Sequence, residues 1–195
     1  MRVLAEFIMR GRMQAGLVVF FGNLVPFVSP AAVSLTTLTK GFSESVLLLS
    51  LALMPLLIAL YVSDDANAIL TLLSITSILC VWSASRFMKL RSSWSEVLIF
   101  VVIFSTVATI LISVLFNEKL LALEGLIEEF FKEALQDENK PIVSTSFLLG
   151  VSGYVIALTS VIALVLGRWW QSMLYNPGGF KLEFHQLRFS VTTSI

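Results

Sequence analysis

The sequence predicts an all-α, polytopic transmembrane helical bundle of about six membrane segments, with the N- and C-termini cytoplasmic. Three observations carry that reading. Charged residues are only 13% of 195 positions and apolar residues 57%, whereas an ordinary soluble domain carries roughly 25% charged residues. With a mean hydropathy of +0.91, the chain has too few polar groups to cover a water-exposed surface. Five windows, residues 13–39, 45–63, 66–85, 97–117 and 141–167, contain no Asp, Glu, Lys or Arg. Finally, the Lys and Arg residues between those windows are placed unevenly, and their placement constrains how often the chain crosses.

A helix needs about 20 apolar residues to cross roughly 30 Å of hydrocarbon. In lipid every backbone polar group must be satisfied within the segment, so each window is expected to be helical. The runs are rich in Leu, Val and Ile and lack the alternation of a barrel strand. The first window is too long for a signal-peptide core and no cleavage site follows it, so it is expected to stay in the mature chain.

Cytoplasmic loops are the ones enriched in Lys and Arg. Arg2, Arg10 and Arg12 precede the first window, and Lys40 and Glu44 follow it. Asp64 and Asp65 separate the second and third windows; Arg86, Lys89 and Arg91 separate the third and fourth. Residues 118–140 hold seven acids and three bases, and Arg168, Lys181 and Arg188 follow the last window. Five single crossings would put the Arg86–Arg91 cluster outside. If residues 13–39 return to their starting side, every loop obeys the rule. Parity therefore favours six crossings, or four crossings and a re-entrant pair.

Pro26 and Pro30 fall inside the first window, and proline removes a donor and disrupts the preceding turn. Ser29 before Pro30 reads as an N-cap with proline at the first helical position. Two short arms are expected, with a break between Pro26 and Pro30; a single proline-kinked helix is the alternative.

Residues 118–136 read as an external amphipathic helix, because Leu120, Leu123, Ile127, Phe130 and Ala134 recur at three and four residues beside Glu124, Glu128, Glu129 and Glu133. It should lie on the outer membrane surface or cap the bundle. Tyr61, Trp94, Trp169 and Trp170 stand near span ends, where such rings favour the interface. Ser146, Gly150, Gly153 and Ala157 form a small-residue stripe suited to close helix packing. Residues 168–195 form a cytoplasmic tail, so that 1–195 reads as a single transmembrane domain.

Catalytic chemistry is sparse. No ionisable acid or base lies mid-span, where proton relays and ion-coupled pumps need one. The one histidine, His185, lies in the tail, and the one cysteine, Cys80, lies in an apolar run without metal-ligand partners. No nucleophile has a plausible base, so no catalytic residue, metal or cofactor is assigned and an enzyme is not expected. No basic tract points to nucleic acid. Span hydroxyls such as Ser74, Thr76, Thr109 and Ser113 are expected to bond their own helix carbonyls.

The densest polar cluster is in the broken first window: Asn23, Ser29, Ser34, Thr36, Thr37 and Thr39. Broken membrane helices expose unpaired backbone groups that commonly line substrate sites, and a helix start there offers partial positive charge. Asn23, Ser29, Ser34 and Thr37 are therefore the candidate ligand-binding residues. The alternative is a hairpin whose hydroxyls satisfy its own backbone.

Two stretches carry a family resemblance. One is Met9-Arg10-Gly11-Arg12-Met13-Gln14-Ala15. The other runs from Gly167-Arg168-Trp169-Trp170-Gln171 through Leu174-Tyr175-Asn176-Pro177-Gly178-Gly179-Phe180 to Glu183-Phe184. Together they resemble the YybS-like bacterial membrane proteins, whose fold is similar to the substrate-binding subunits of energy-coupling-factor transporters. The resemblance implies six helices with cytoplasmic termini in a bacterial inner membrane. Family members continue with further spans, so it also implies a truncated or divergent member here. No functional residues carry over. The functional expectation is a small-solute-binding or transporter-like component, with the bilayer, a small solute or transporter subunits as partners. A non-transporting scaffold or assembly factor that holds a protein partner is the alternative.

Overall fold

The computed structural model describes residues 2–25, 27–63, 65–91, 93–135 and 144–180. Pro26, Asp64, His185, Lys181, Arg188 and most of the 168–195 tail, with their expected roles, lie outside the described residues. Regular structure among the described residues is entirely helical. The elements are α1 (Arg2–Arg10), α2 (Arg12–Phe21), a 3₁₀ turn (Gly22–Leu24), α3 (Val28–Thr39), α4 (Phe42–Val62), α5 (Asp65–Arg91), α6 (Trp94–Leu115), α7 (Asn117–Leu135) and α8 (Thr145–Tyr175).

Four segments are long and apolar enough to cross a membrane: Phe42–Val62, Asn67–Arg91, Trp94–Leu115 and Thr145–Tyr175. They mark the chain as a membrane protein. At 1.5 Å per residue, α2 and α3, with 10 and 12 residues, reach only about 15 and 18 Å, half the hydrocarbon thickness. Four bonds show that this pair is a hairpin whose ends meet. Ser29 Oγ near the start of α3 donates to the Val19 carbonyl near the end of α2 at 2.8 Å. At the other end Thr39 Oγ1 donates to Met9 Sδ at 3.6 Å. Arg12 and Lys40, which bracket the pair, both reach Glu44, at 2.8 and 3.4 Å. The chain thus returns to the end it left, as the charge parity requires.

The same end gathers other basic groups. Lys89 Nζ donates to the carbonyls of Lys40 (2.7 Å) and Thr37 (3.4 Å), so a cation closes the C-terminus of α3, where the helix dipole favours one. The Arg86 guanidinium lies 5.0 Å from the centroid of the Phe42 ring.

The helix start differs from the sequence expectation. Phe27, at φ 67°, occupies the N-cap of α3, and Ser29 and Pro30 fall within the first turn. Proline is as harmless there as at the first position, since none of those N–H groups has an intrahelical acceptor. Ser29 is therefore free to bond Val19 and does not cap.

α5 is the hub, packing on α3, α4, α6, α7 and α8, while α3 packs most closely on α8. α3 is buried all round, with every residue from Ala31 to Thr37 fully inaccessible. It divides the core in two. One part joins α5, α6 and α8 with Leu38 of α3 and Leu120 of α7; the other joins α1, α2, α3 and α4 with Ile78 and Trp170. Trp94 and Trp170 pack within these cores, at 6% and 2% exposure, whereas Tyr61 is 92% exposed.

α7 matches the expected amphipathic segment within a residue. It buries Leu120 and packs Leu123 against the core, and Thr145 at the start of α8 donates to its Glu124 carboxylate. It caps the bundle chiefly over α5. The small-residue stripe of α8 is close to α6 at Gly153, where a Cβ would lie 3.0 Å from Thr109 Oγ1, and open at Gly150. A Cβ on Gly150 would meet nothing within 4 Å, and Gly150 and Gly153 line an open groove of about 380 Å³ between α6 and α8. A closer approach occurs at Gly167, where a Cβ would fall 2.6 Å from that of Ser34 and 3.1 Å from the Leu35 nitrogen.

Candidate functional site

The hairpin tip places polar groups beside open space. α2 ends at Phe21, and Gly22 starts the turn because α3 returns directly against it. A Cβ at Gly22 would lie 3.0 Å from the Ser29 nitrogen. One residue further, Asn23 leaves the hairpin sideways, its Nδ2 donating to the Ala52 carbonyl of α4 at 3.0 Å and more weakly to the Phe20 carbonyl at 3.5 Å. Pro55 lies inside α4 and withholds a donor from the Leu51 carbonyl, so the helix ladder is interrupted beside the carbonyl that Asn23 takes.

That bond also fixes the depth of the tip. Ala52 is ten residues along α4 from Phe42, or about 15 Å at 1.5 Å per residue. Asn23 therefore sits level with the middle of α4. At this level a cavity of about 210 Å³ opens, lined by Gly22, Asn23, Val25, Phe27 and Pro30 of the hairpin, Leu56 of α4, Ser74, Ser77 and Ile78 of α5, and Thr159 of α8. Larger hollows, of about 530 and 430 Å³, lie along the outward apolar faces of α4 and of α2 with α4. Lipid tails belong on those faces, so size alone does not mark a site.

Of the four candidate residues, only Asn23 lines the cavity. Ser29 is buried and bonded to Val19. Ser34 is buried against Gly167 and accepts a hydrogen bond from Ser85 Oγ at 2.9 Å. Thr37 donates to the Val33 carbonyl at 2.7 Å. Thr36 and Thr39 likewise bond carbonyls one turn back in α3. Most hydroxyls of the arm thus satisfy their own helix. Ser74, Ser77 and Thr159 were not singled out as ligand-binding in the sequence. Ser74 and Ser77 share a helix face at i, i+3, but nothing local in the sequence links them to Thr159 or Asn23.

The lining carries no charge. Among the described residues no group of three or more His, Cys, Asp or Glu side chains is placed to hold a metal. The cavity can hold a small uncharged group by hydrogen bonds and by contact with Phe27, Leu56 and Ile78.

No family model, curated protein or solved structure matches the chain. The structure does give the resemblance residues a shared location. Met9 reaches Thr39 at the base of the hairpin, and Ala15 and Trp170 share a core cluster. Gly167 admits α3, and beyond α8 the turn containing Gly178, at φ 91°, brings the Phe180 ring edge-on to Trp94, 6.2 Å between centroids. The described residues of the two stretches, 9–15 and 167–180, lie toward the end of the bundle from which the hairpin enters.

Proposed function

We propose that the chain is an integral protein of a bacterial inner membrane that binds a small solute at the tip of a re-entrant hairpin, as a transporter-like component. Six membrane segments are envisaged: four crossings and the two half-length arms α2 and α3. The end bearing Arg12, Lys40, Arg86 and Lys89 is cytoplasmic, with both termini on that side, and α7 is external. The Lys/Arg asymmetry supports this orientation.

One observation carries the functional reading: a cavity that sets Asn23, Ser74, Ser77 and Thr159 among apolar side chains stands level with the middle of α4, where a broken segment ends among α4, α5 and α8. Discontinuous helices that meet at the membrane midplane are the usual setting for solute sites in secondary transporters. The test is ligand-dependent thermal stabilisation of the purified chain over a panel of small solutes, since a ligand that binds only the folded form raises its unfolding temperature. Asn23→Leu should remove the response of any active solute and leave the folded yield nearly unchanged. A response that survives Asn23→Leu would place binding elsewhere. A stoichiometric protein partner on purification, with no solute response, would favour the scaffold reading instead.

A further inference from the structure

We infer that the hairpin-tip cavity selects small, uncharged solutes that donate hydrogen bonds, and disfavours anions and solutes that only accept them. The inference rests on the proposed solute site and specifies its ligand class. It comes from counting how the polar side chains of the lining are already used.

Each side-chain donor that lines the cavity is committed to a carbonyl of the protein. The Asn23 amide group donates to the Ala52 carbonyl at 3.0 Å and reaches the Phe20 carbonyl at 3.5 Å. Ser74 Oγ donates to the Leu70 carbonyl at 3.0 Å, and Ser77 Oγ to the Ser74 carbonyl at 2.9 Å. Thr159 Oγ1 donates to the Val155 carbonyl at 2.6 Å. What these groups still offer is acceptor capacity: the Asn23 carbonyl oxygen and the lone pairs of three hydroxyls. A ligand acceptor placed there would face oxygen lone pairs. A carboxylate would lose its hydration and find no side-chain donor, at a depth where charge is costly. A cation would find acceptors but no counter-charge at a depth where charge is costly. A neutral donor avoids both costs.

Size narrows the class further. At roughly 30 Å³ for each water-sized group, a cavity of about 210 Å³ holds a solute on the order of seven non-hydrogen atoms. Primary amides fit this description, with two N–H donors at one end and a short apolar stem for Phe27, Leu56 and Ile78.

The test uses four small probes that all fall within the size the cavity holds, on the full chain in detergent at pH 7: propionamide, N,N-dimethylpropionamide, propionate and propylammonium. Propionamide should raise the unfolding temperature in a saturable way, by about 3 °C at ten times its dissociation constant. The other three should produce a markedly smaller shift. Thr159→Val, which keeps the shape and removes one acceptor, should weaken the propionamide response, and Asn23→Leu should abolish it. An equal response to N,N-dimethylpropionamide or propionate, lost in Asn23→Leu, would overturn the donor rule while leaving the solute site in place. A response confined to propylammonium would show that the site prefers charge and would overturn the inference in the same way. If none of the probes shifts the transition, the donor-solute assignment fails, and the broader solute panel decides separately whether the cavity is a site. A propionamide response that persists in both variants arises outside the cavity and overturns the inference as well.

Discussion

Gly167→Ala tests the close contact between α3 and α8, on which the burial of the hairpin depends. The added carbon would sit 2.6 Å from Ser34 Cβ and 3.1 Å from the Leu35 nitrogen. Carbon atoms rest at about 3.5–4.0 Å, so the two helices must part by roughly 1 Å. Ser34 is fully buried and holds Ser85, and the Leu35 contact is backbone, so neither can swing aside. Overpacking of this kind costs about 1–3 kcal/mol, which for a chain of this size lowers the unfolding midpoint by about 2–12 °C. Thermal unfolding of the purified protein measures this directly. A double-mutant cycle with Ser34→Gly isolates the clash from the loss of the Ser85 bond, and the coupling should fall within about 0.5–3 kcal/mol. An unchanged midpoint in Gly167→Ala, together with zero coupling, would mean that α8 does not approach α3 at this point and would refute the packing argument.

Other perturbations separate the remaining parts of the fold. Gly150→Ala should be neutral or stabilising, by up to about 1 kcal/mol, because open space surrounds it and alanine favours the helix; a loss of stability would mean that the α6–α8 groove is closed. Lys89→Met should cost about 0.3–1 kcal/mol by uncapping α3, with the loss shrinking at high salt. A Lys89→Met protein as stable as the wild type in low salt would remove the capping role. In a Cys80→Ser background, a cysteine at Asp64 should react with an impermeant thiol reagent from outside while one at Lys89 is spared, and the reverse pattern would invert the proposed topology.

What the sequence revealed and what it concealed follow from which signals are local. The hairpin was legible because net parity depends only on where Lys and Arg fall, and the Arg12–Glu44–Lys40 cluster is that parity expressed as contact. The first helix is not among the elements expected from the sequence, although Arg2, Glu6 and Arg10 recur every four residues with Ala5 and Ile8 buried between them. The start of α3 was ambiguous by two residues because proline is tolerated throughout a first turn. The burial of Trp94 and Trp170 was illegible for a different reason. Position near a span end is a sequence property, whereas the side of the helix that meets the bundle is decided by partners distant in the chain.

The candidate site was half legible for the same reason. Polarity in the sequence concentrates in the α3 arm, but polarity in space concentrates at its tip. Along the arm Thr36, Thr37 and Thr39 donate to carbonyls one turn back, which satisfies the hydroxyl and leaves the methyl face to pack. Small side chains such as Ala31, Ala32 and Ser34 then let α3 nest fully buried among its neighbours. These residues are chosen for close packing, and their polarity is spent locally. At the tip the ladder ends. The arms reach only about half the membrane thickness, while α4, α5 and α8 continue past them. Groups that would face another turn of helix face a cavity instead, and Asn23, reaching across to Ala52, is the one residue of the sequence cluster that lies at that boundary. The site therefore takes its hydroxyls from α5 and α8, at Ser74, Ser77 and Thr159, because only helices that outlast the hairpin have side chains at that depth to contribute.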